Sequence, residues 1–168
     1  MTATRKRKII KLALIGIAAG FFLRCFVFDI LIVKGKSMSP AIEDGDVIFI
    51  NRLAYGIAVP FGSTLFTSWN EPARDECVIY LYNHNIVVKR CAACGGEPLE
   101  YSHDTGYTLR TGGKEYPLSK KQYRLMSSIK QVPEGMILAI GDNAGVSVDS
   151  RDYGFVPVKN IIGRVICR

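Results

Sequence analysis

Val78-Ile79-Tyr80-Leu81-Tyr82, then Asn83-His84-Asn85, then Ile86-Val87-Val88-Lys89-Arg90: two runs of β-branched, aromatic and aliphatic residues are split by three turn residues. Such runs favour a pleated, half-buried strand, and the Asn-rich step between them favours a turn. The same texture recurs outward in both directions. Ile30-Leu31-Ile32-Val33 and Val47-Ile48-Phe49-Ile50 precede it; Met136-Ile137-Leu138-Ala139-Ile140 and Ile161-Ile162-Gly163-Arg164-Val165-Ile166 follow it. Turn residues bound most of these runs: Asp44-Gly45-Asp46, Gly112-Gly113 and Pro133-Glu134-Gly135. The body carries no long amphipathic helical stretch. A mainly β fold is expected, an antiparallel coiled sheet or partly closed barrel. Residues 97–130 are polar and rich in Tyr, Lys and Gly, and read as a small inserted β subdomain.

The first 28 residues differ. Residues 9–28 read IIKLALIGIAAGFFLRCFVF. Twenty helical residues reach about 30 Å, the thickness of a hydrocarbon core. Lys11 and Arg24 lie near the two ends, where long cationic side chains snorkel to the headgroups. The uninterrupted stretch 12–23 is short, which also suits a cleaved signal, but no small-x-small cleavage pattern follows Leu23. A buried core helix is the third reading. The expectation is a basic arm over 1–8, one transmembrane anchor over 9–28 and an extracytoplasmic body over 29–168. The arm would then lie in the cytoplasm.

The chain of 168 residues is long enough for one such body and too short for a multi-span transporter. With 48% hydrophobic and 22% charged residues it is not a disordered chain. The net charge of +7 does not argue for nucleic acid. Arg5, Lys6, Arg7, Lys8 and Lys11 supply five of the 22 Lys and Arg, leaving 17 against 15 acids in the rest.

Three stretches carry residues with chemistry. Ser37, in Gly35-Lys36-Ser37-Met38-Ser39-Pro40, follows a strand and precedes a turn. A hydroxyl there can act as a nucleophile beside main-chain N–H donors, or simply bond its own backbone. Lys89 ends an apolar run. A free lysine has a pKa of about 10.4, so roughly 0.04% is neutral at pH 7. Burial lowers that pKa, and only a neutral amine accepts a proton from serine. The plain alternative is an edge-strand lysine facing water. The third stretch runs Gly141-Asp142-Asn143, then Ser147-Val148-Asp149-Ser150-Arg151, a polar loop with an Asp–Arg pair.

In this order the three stretches resemble type I signal peptidases, membrane-bound serine proteases with a Ser–Lys dyad. Ser37-Met38-Ser39-Pro40 resembles the serine box and Lys89-Arg90 the lysine box. Gly141-Asp142-Asn143 with Ser147, Asp149, Ser150 and Arg151 resembles the final box, and Tyr153-Gly154-Phe155-Val156-Pro157 and Gly163-Arg164 the family's ending. The resemblance implies that Ser37 is the nucleophile and Lys89 the general base. It implies that Ser147 orients the lysine, and that Asp149 and Arg151, with Asp142 and Asn143, support the site. The Ser37 N–H would bind the oxyanion. The second donor, a serine in one branch of the family, falls here on Gly35, so a backbone group is expected. Ala41 and Ala144-Gly145-Val146 depart from the family's usual residues. The implied substrates are secreted precursors bearing signal peptides, cut after small residues. Leu31, Val33 and Val88 flank the dyad and would wall the cleft, or pack as plain core.

No cofactor, metal or nucleic-acid partner is expected; the bilayer is an expected partner. Cys91 and Cys94 form a C-x-x-C just after Lys89 and are open to four readings: a redox pair, a disulfide, half a zinc site completed by Cys77, His84 or His103, or buried thiols. Cys77 could pair with Cys167. Three other functions compete: a specialised relative that processes a conjugative pilin, a self-cleaving repressor protease, and a non-catalytic anchored β adaptor. The repressor reading lacks the final box and an anchor.

Overall fold

The computed structural model describes residues 3–58, 64–104 and 106–167. It opens with helix α1 (Ala3–Phe26), and Phe28 already begins strand β1 (Phe28–Ile32). Arg5, Lys6, Arg7 and Lys8 stand on the same helix as the apolar residues. Asp29 ties down the exit of α1, accepting Arg24 Nη1 at 3.2 Å and Arg52 Nη1 at 3.3 Å. Among the described residues no helix is long and apolar enough to cross a membrane.

The runs read as strands do form strands. After β1 come β2 (Val47–Asn51), β3 (Gly56–Ala58), β4 (Leu65–Ser68), β5 (Cys77–Tyr82) and β6 (Asn85–Cys94). The insert contributes β7 (Glu100–Ser102), β8 (Thr108–Thr111), β9 (Lys114–Pro117) and helix α2 (Lys120–Met126). The chain closes with β10 (Met136–Ile140), the short helix α3 (Ser150–Tyr153), β11 (Val156–Pro157) and β12 (Ile161–Cys167). One seven-stranded sheet runs β1-β2-β12-β5-β6-β10-β11, antiparallel at each pairing. Its two edges, β1 and β11, do not pair, so of the expected coiled sheet or partly closed barrel the antiparallel sheet is present and no closed barrel forms. The pair β3-β4 and the three-stranded β7-β8-β9 stand apart.

β5 and β6 form a hairpin in register from Cys77↔Arg90 to Tyr82↔Asn85. Asn83 and His84 turn it with φ of 48° and 63°, a left-handed region that Asn and His tolerate better than most residues. The hairpin sits at the centre of the sheet, and both of its faces are covered. Val78, Tyr80, Cys91, Ile137 and Ile161 pack on one side; Met38, Ile48, Ile50, Ile79 and Ile162 pack on the other. A third cluster, with Ala92, Ala93, Leu99, Leu109 and Leu138, seats the insert on β6 and β10. Helix α2 starts with a reciprocal cap: Ser119 Oγ accepts Gln122 N–H, and Gln122 Oε1 accepts Ser119 N–H. The S-x-x-Q spacing signals such a box, and it is the one helix that the polar texture of the insert concealed.

Leu138 lies fully buried where the insert meets the sheet. Leu138→Ala is expected to lower unfolding stability by about 2–5 kcal/mol in urea titrations. Leu125→Ala, on the exposed face of α2, is expected to stay within about 0.5 kcal/mol of the parent.

Candidate active site

Ser37 stands in the turn between β1 and β2, and its neighbour explains why the turn is fixed. Met38 is buried against Ile48, Ile50, Ile79 and Ile162, so the backbone beside Ser37 is nailed into the core. Met38 O then accepts Ile42 N–H at 2.9 Å, closing a helical turn after the serine. Gly35 precedes it at φ 95°, where a side chain would be strained although open space surrounds its Cα. Its N–H donates to Asp44 Oδ1 at 2.7 Å. That corrects the expectation that Gly35 offers a backbone donor to an oxyanion: the hydrogen is committed to a carboxylate. The sequence reading marked Asp44 only as a turn residue; its contact with Gly35, nine residues away, was not legible there.

Lys89 is in the middle of β6, paired in register with Val78. Only 3% of its surface is exposed. A water-facing edge lysine is thereby excluded. Its Nζ donates to Ser147 Oγ at 2.9 Å, and Ser147 Oγ donates onward to Asp149 Oδ2 at 2.7 Å. With its proton aimed at the carboxylate, the hydroxyl turns a lone pair toward the amine. Asp149 is in turn held by Arg151, whose Nε and Nη2 reach its two oxygens at 2.8 Å each, and by Gly141 N–H at 3.0 Å. Asp149 and Arg151 are 0% and 2% exposed in their side chains, so this is an ion pair out of water, unlike a surface pair. Arg151 also donates to Pro117 O at 3.0 Å, which fastens the loop to the insert.

Burial pushes the Lys89 amine below the usual lysine range; Asp149 pulls it back up and Arg151 pushes it down further. Burial alone would raise the Asp149 carboxyl. Hydrogen bonds from Arg151, Ser147 and Gly141, with the Arg151 charge, outweigh that and hold it below the ordinary carboxylate value. Lys89 is thus biased toward the neutral form that a dry interior imposes, whereas Asp149 is held ionised against it.

The final loop and the serine turn are tied directly. Asn143 N–H donates to Ser37 O at 3.0 Å, and Asn143 O accepts Ser147 N–H at 3.0 Å. Asp142 forms a bidentate pair with Arg90, at 2.7 Å to Nε and 2.5 Å to Nη2. Ser150, which the reading above used only as a motif letter, is fully buried and accepts Ala139 N–H at 3.0 Å, joining α3 to β10. Gly141 is needed for space: a Cβ there would stand 2.2 Å from Ser147 Oγ and 2.5 Å from Ser37 O.

Ser37 and Lys89 line one cavity of about 290 Å³, with Leu31, Val33, Val88, Met38 and Ile48 among its walls. Leu31, Val33 and Val88 are only half-buried and also pack on the core cluster behind it, so the wall and core readings coincide. The Lys89 amine bonds Ser147, and Ser37 shares its cavity rather than that bond. Catalytic hydrogen bonds often tighten only in the substrate complex. Among the described residues no group of three or more His, Cys, Asp or Glu could hold a metal ion. Cys77, Cys91 and Cys94 are free thiols, and the side chains of Cys25 and Cys167 lie outside the described ones.

Gly141→Ala is expected to cost about 1–3 kcal/mol in chemical denaturation, through overpacking at Ser147 and Ser37. Gly145→Ala, at an uncrowded position of the same loop, is expected to be near neutral.

A family model described as signal peptidase, peptidase S26, matches residues 6–168. Signal peptidase I of Bacillus caldolyticus is 30% identical over 158 residues, which cover 85% of this chain and 80% of that one. Signal peptidase IB of Staphylococcus aureus is 29% identical over 179 residues, covering 92% and 86%. A crystal structure of a signal peptidase I from Enterococcus faecalis V583 is 27% identical and aligns with a TM-score of 0.41, over 59% of this chain and 100% of that one.

Proposed function

The chain belongs to the signal peptidase family, peptidase S26, and from that premise we propose that it removes leader peptides by attack of Ser37 with Lys89 as general base. Membership makes it a serine endopeptidase. The observation that carries the dyad is the dry amine: Lys89 is buried, shares a cavity with Ser37 and has its pKa lowered by that burial.

Neutral Lys89 takes the Ser37 proton as Oγ attacks the scissile carbonyl. Ser147 holds one amine hydrogen, leaving the nitrogen lone pair for Ser37. Asp149, kept ionised by Arg151, keeps the Ser147 proton pointed away from the lysine. The resulting oxyanion takes a hydrogen bond from Ser37 N–H. Protonated Lys89 then gives its proton to the leaving amine, and water, deprotonated by the same amine, hydrolyses the acyl-enzyme. The cavity walls of Leu31, Val33 and Val88 are apolar and close, which supports small side chains just before the cut. An extended precursor would present these through main-chain bonds to a strand edge.

The bilayer is the second partner in this reading. Phe28, Ile30 and Ile32 on β1 and Val47 and Phe49 on β2 share one face by register, and all five are exposed. An apolar face of this kind marks an interaction surface. It adjoins α1, whose described large apolar side chains, from Ile9 to Phe22, are exposed. Together they support attachment at a membrane, with Lys11 and Arg24 snorkelling, the basic residues 1–8 in the cytoplasm and the body from 29 outside.

Detergent-solubilised wild type incubated with a labelled preprotein carrying Ala-x-Ala before the cut is expected to release the leader at that site, read by mass spectrometry. Ser37→Ala and Lys89→Ala are expected to abolish release, and Ser147→Ala to lower kcat about 10²-fold. Normal cleavage by Lys89→Ala would refute the dyad.

The pH profile follows from the lowered amine. Deprotonation supplies the base, so kcat is expected to rise with pH and to level off below the ordinary lysine pKa of about 10.4. A rate unchanged from about pH 5 to about pH 10 would exclude a titrating amine.

A further inference from the structure

The active site leaves the C-x-x-C without a task. Cys91 and Cys94 lie on β6 just beyond Lys89 and Arg90. Three residues apart on a regular strand they would face opposite sides of the sheet, since side chains alternate with a period of two. The ladder to β10 changes this. It pairs Leu138 with Ala93 and Ala139 with Cys91, so β6 carries one extra residue, a bulge. The bulge resets the alternation. Ala92 and Ala93 both turn into the core beneath the insert. Cys91 and Cys94 both turn to the opposite core, and their Sγ atoms come within 3.7 Å. Cys77, the third described free thiol, packs against a different cluster.

The two thiols are unequal in access. Cys91 is fully buried; Cys94 is half-buried, with its Sγ 3.2 Å from Pro72 O. We propose that Cys91 and Cys94 form a thiol–disulfide site, which closes an intrachain disulfide across the β6 bulge by exchange with an external disulfide. Cys94, as the thiolate, attacks one sulfur of that disulfide. The external S–S bond breaks, one external thiolate leaves and takes up a proton, and Cys94 carries a mixed disulfide. Cys91 then gives up its proton and attacks Cys94 Sγ, and the second external thiol departs with a proton. Two protein thiols are oxidised by two electrons, and the external disulfide is reduced to two thiols. Burial raises both thiols above the usual range, so the thiolate is scarce near neutrality and exchange speeds up as pH rises. The bond staples the strand that presents Lys89, two residues past the amine. It needs no contribution from Ser37 or Ser147, and stands or falls apart from the proteolytic reading.

The test uses the full purified chain in detergent, equilibrated with glutathione disulfide at about pH 8.5, near the pKa of free cysteine. Remaining thiols are alkylated and the tryptic peptides mapped by mass spectrometry. In wild type, the peptide that begins at Cys91 is expected to lose both alkylation sites and to be lighter by about 2 Da, reversibly with dithiothreitol. Cys91→Ser is expected to stop at a glutathione adduct on Cys94, because the resolving thiol is gone. Full alkylation of both cysteines at equilibrium would overturn the proposal. So would a bond from either to Cys25, Cys77 or Cys167, or the absence of an adduct on Cys94 in Cys91→Ser.

Discussion

A lysine amine in the middle of a central strand, cut off from water, is the constraint around which the rest is arranged. Lys89 occupies a position that chain alternation would otherwise give to an apolar side chain. Burying an ammonium costs several kcal/mol even after relaxation, and the group escapes much of that cost by losing its proton. The protein neither removes the charge with a full counter-ion nor leaves the amine unpartnered. It supplies one hydroxyl, Ser147 Oγ, at 2.9 Å. A carboxylate in direct contact would keep the lysine charged. Interposing a serine lets Asp149 orient the amine at one remove, while Arg151 absorbs most of the carboxylate's charge.

That chain of contacts explains the density of small and buried polar residues in the final loop. Gly141 must be bare because Ser147 Oγ and Ser37 O occupy the volume of a side chain. Asp149 serves two ends at once: it caps α3 through Arg151 N–H and receives the Ser147 hydroxyl. Asn143 joins the loop to the serine turn through Ser37 O, so Ser37 and Lys89 are held in one frame although 52 positions of sequence separate them. The insert takes part in this frame. Its Pro117 O receives Arg151, and its Gln122 Nε2 donates to Asp152 at 2.8 Å. The segment with the least informative texture therefore braces the loop whose Ser147 meets the Lys89 amine.

Legibility followed the range of the forces involved. The strands at Val47–Asn51, Cys77–Tyr82 and Met136–Ile140 were readable because β-branched runs between turn residues are local signals. The site residues were readable as a pattern of three boxes, but their contacts were not. Nothing local marks that Gly35 N–H is spent on Asp44, nor that Ser150 Oγ caps a β10 amide. The same limit applies to β6. Its ten residues extend well past the apolar run that announced it, and its bulge arises only from pairing with β10. Helix α2 was concealed because tertiary packing of Met126, rather than an amphipathic stripe of visible length, holds seven residues helical.

By itself the sequence determined the strand segments, the order of the serine, the lysine and the polar loop, and the concentration of basic charge at the N-terminus. These depend on side-chain type and short spacing, which act within a few residues. Only the tertiary structure decided that the sheet stays open, that Lys89 is dry, that Ser147 meets its amine, and that two cysteines of odd spacing face one another. Each of these depends on what a distant strand or loop brings alongside, and desolvation is a property of the assembled surroundings rather than of any residue in the chain.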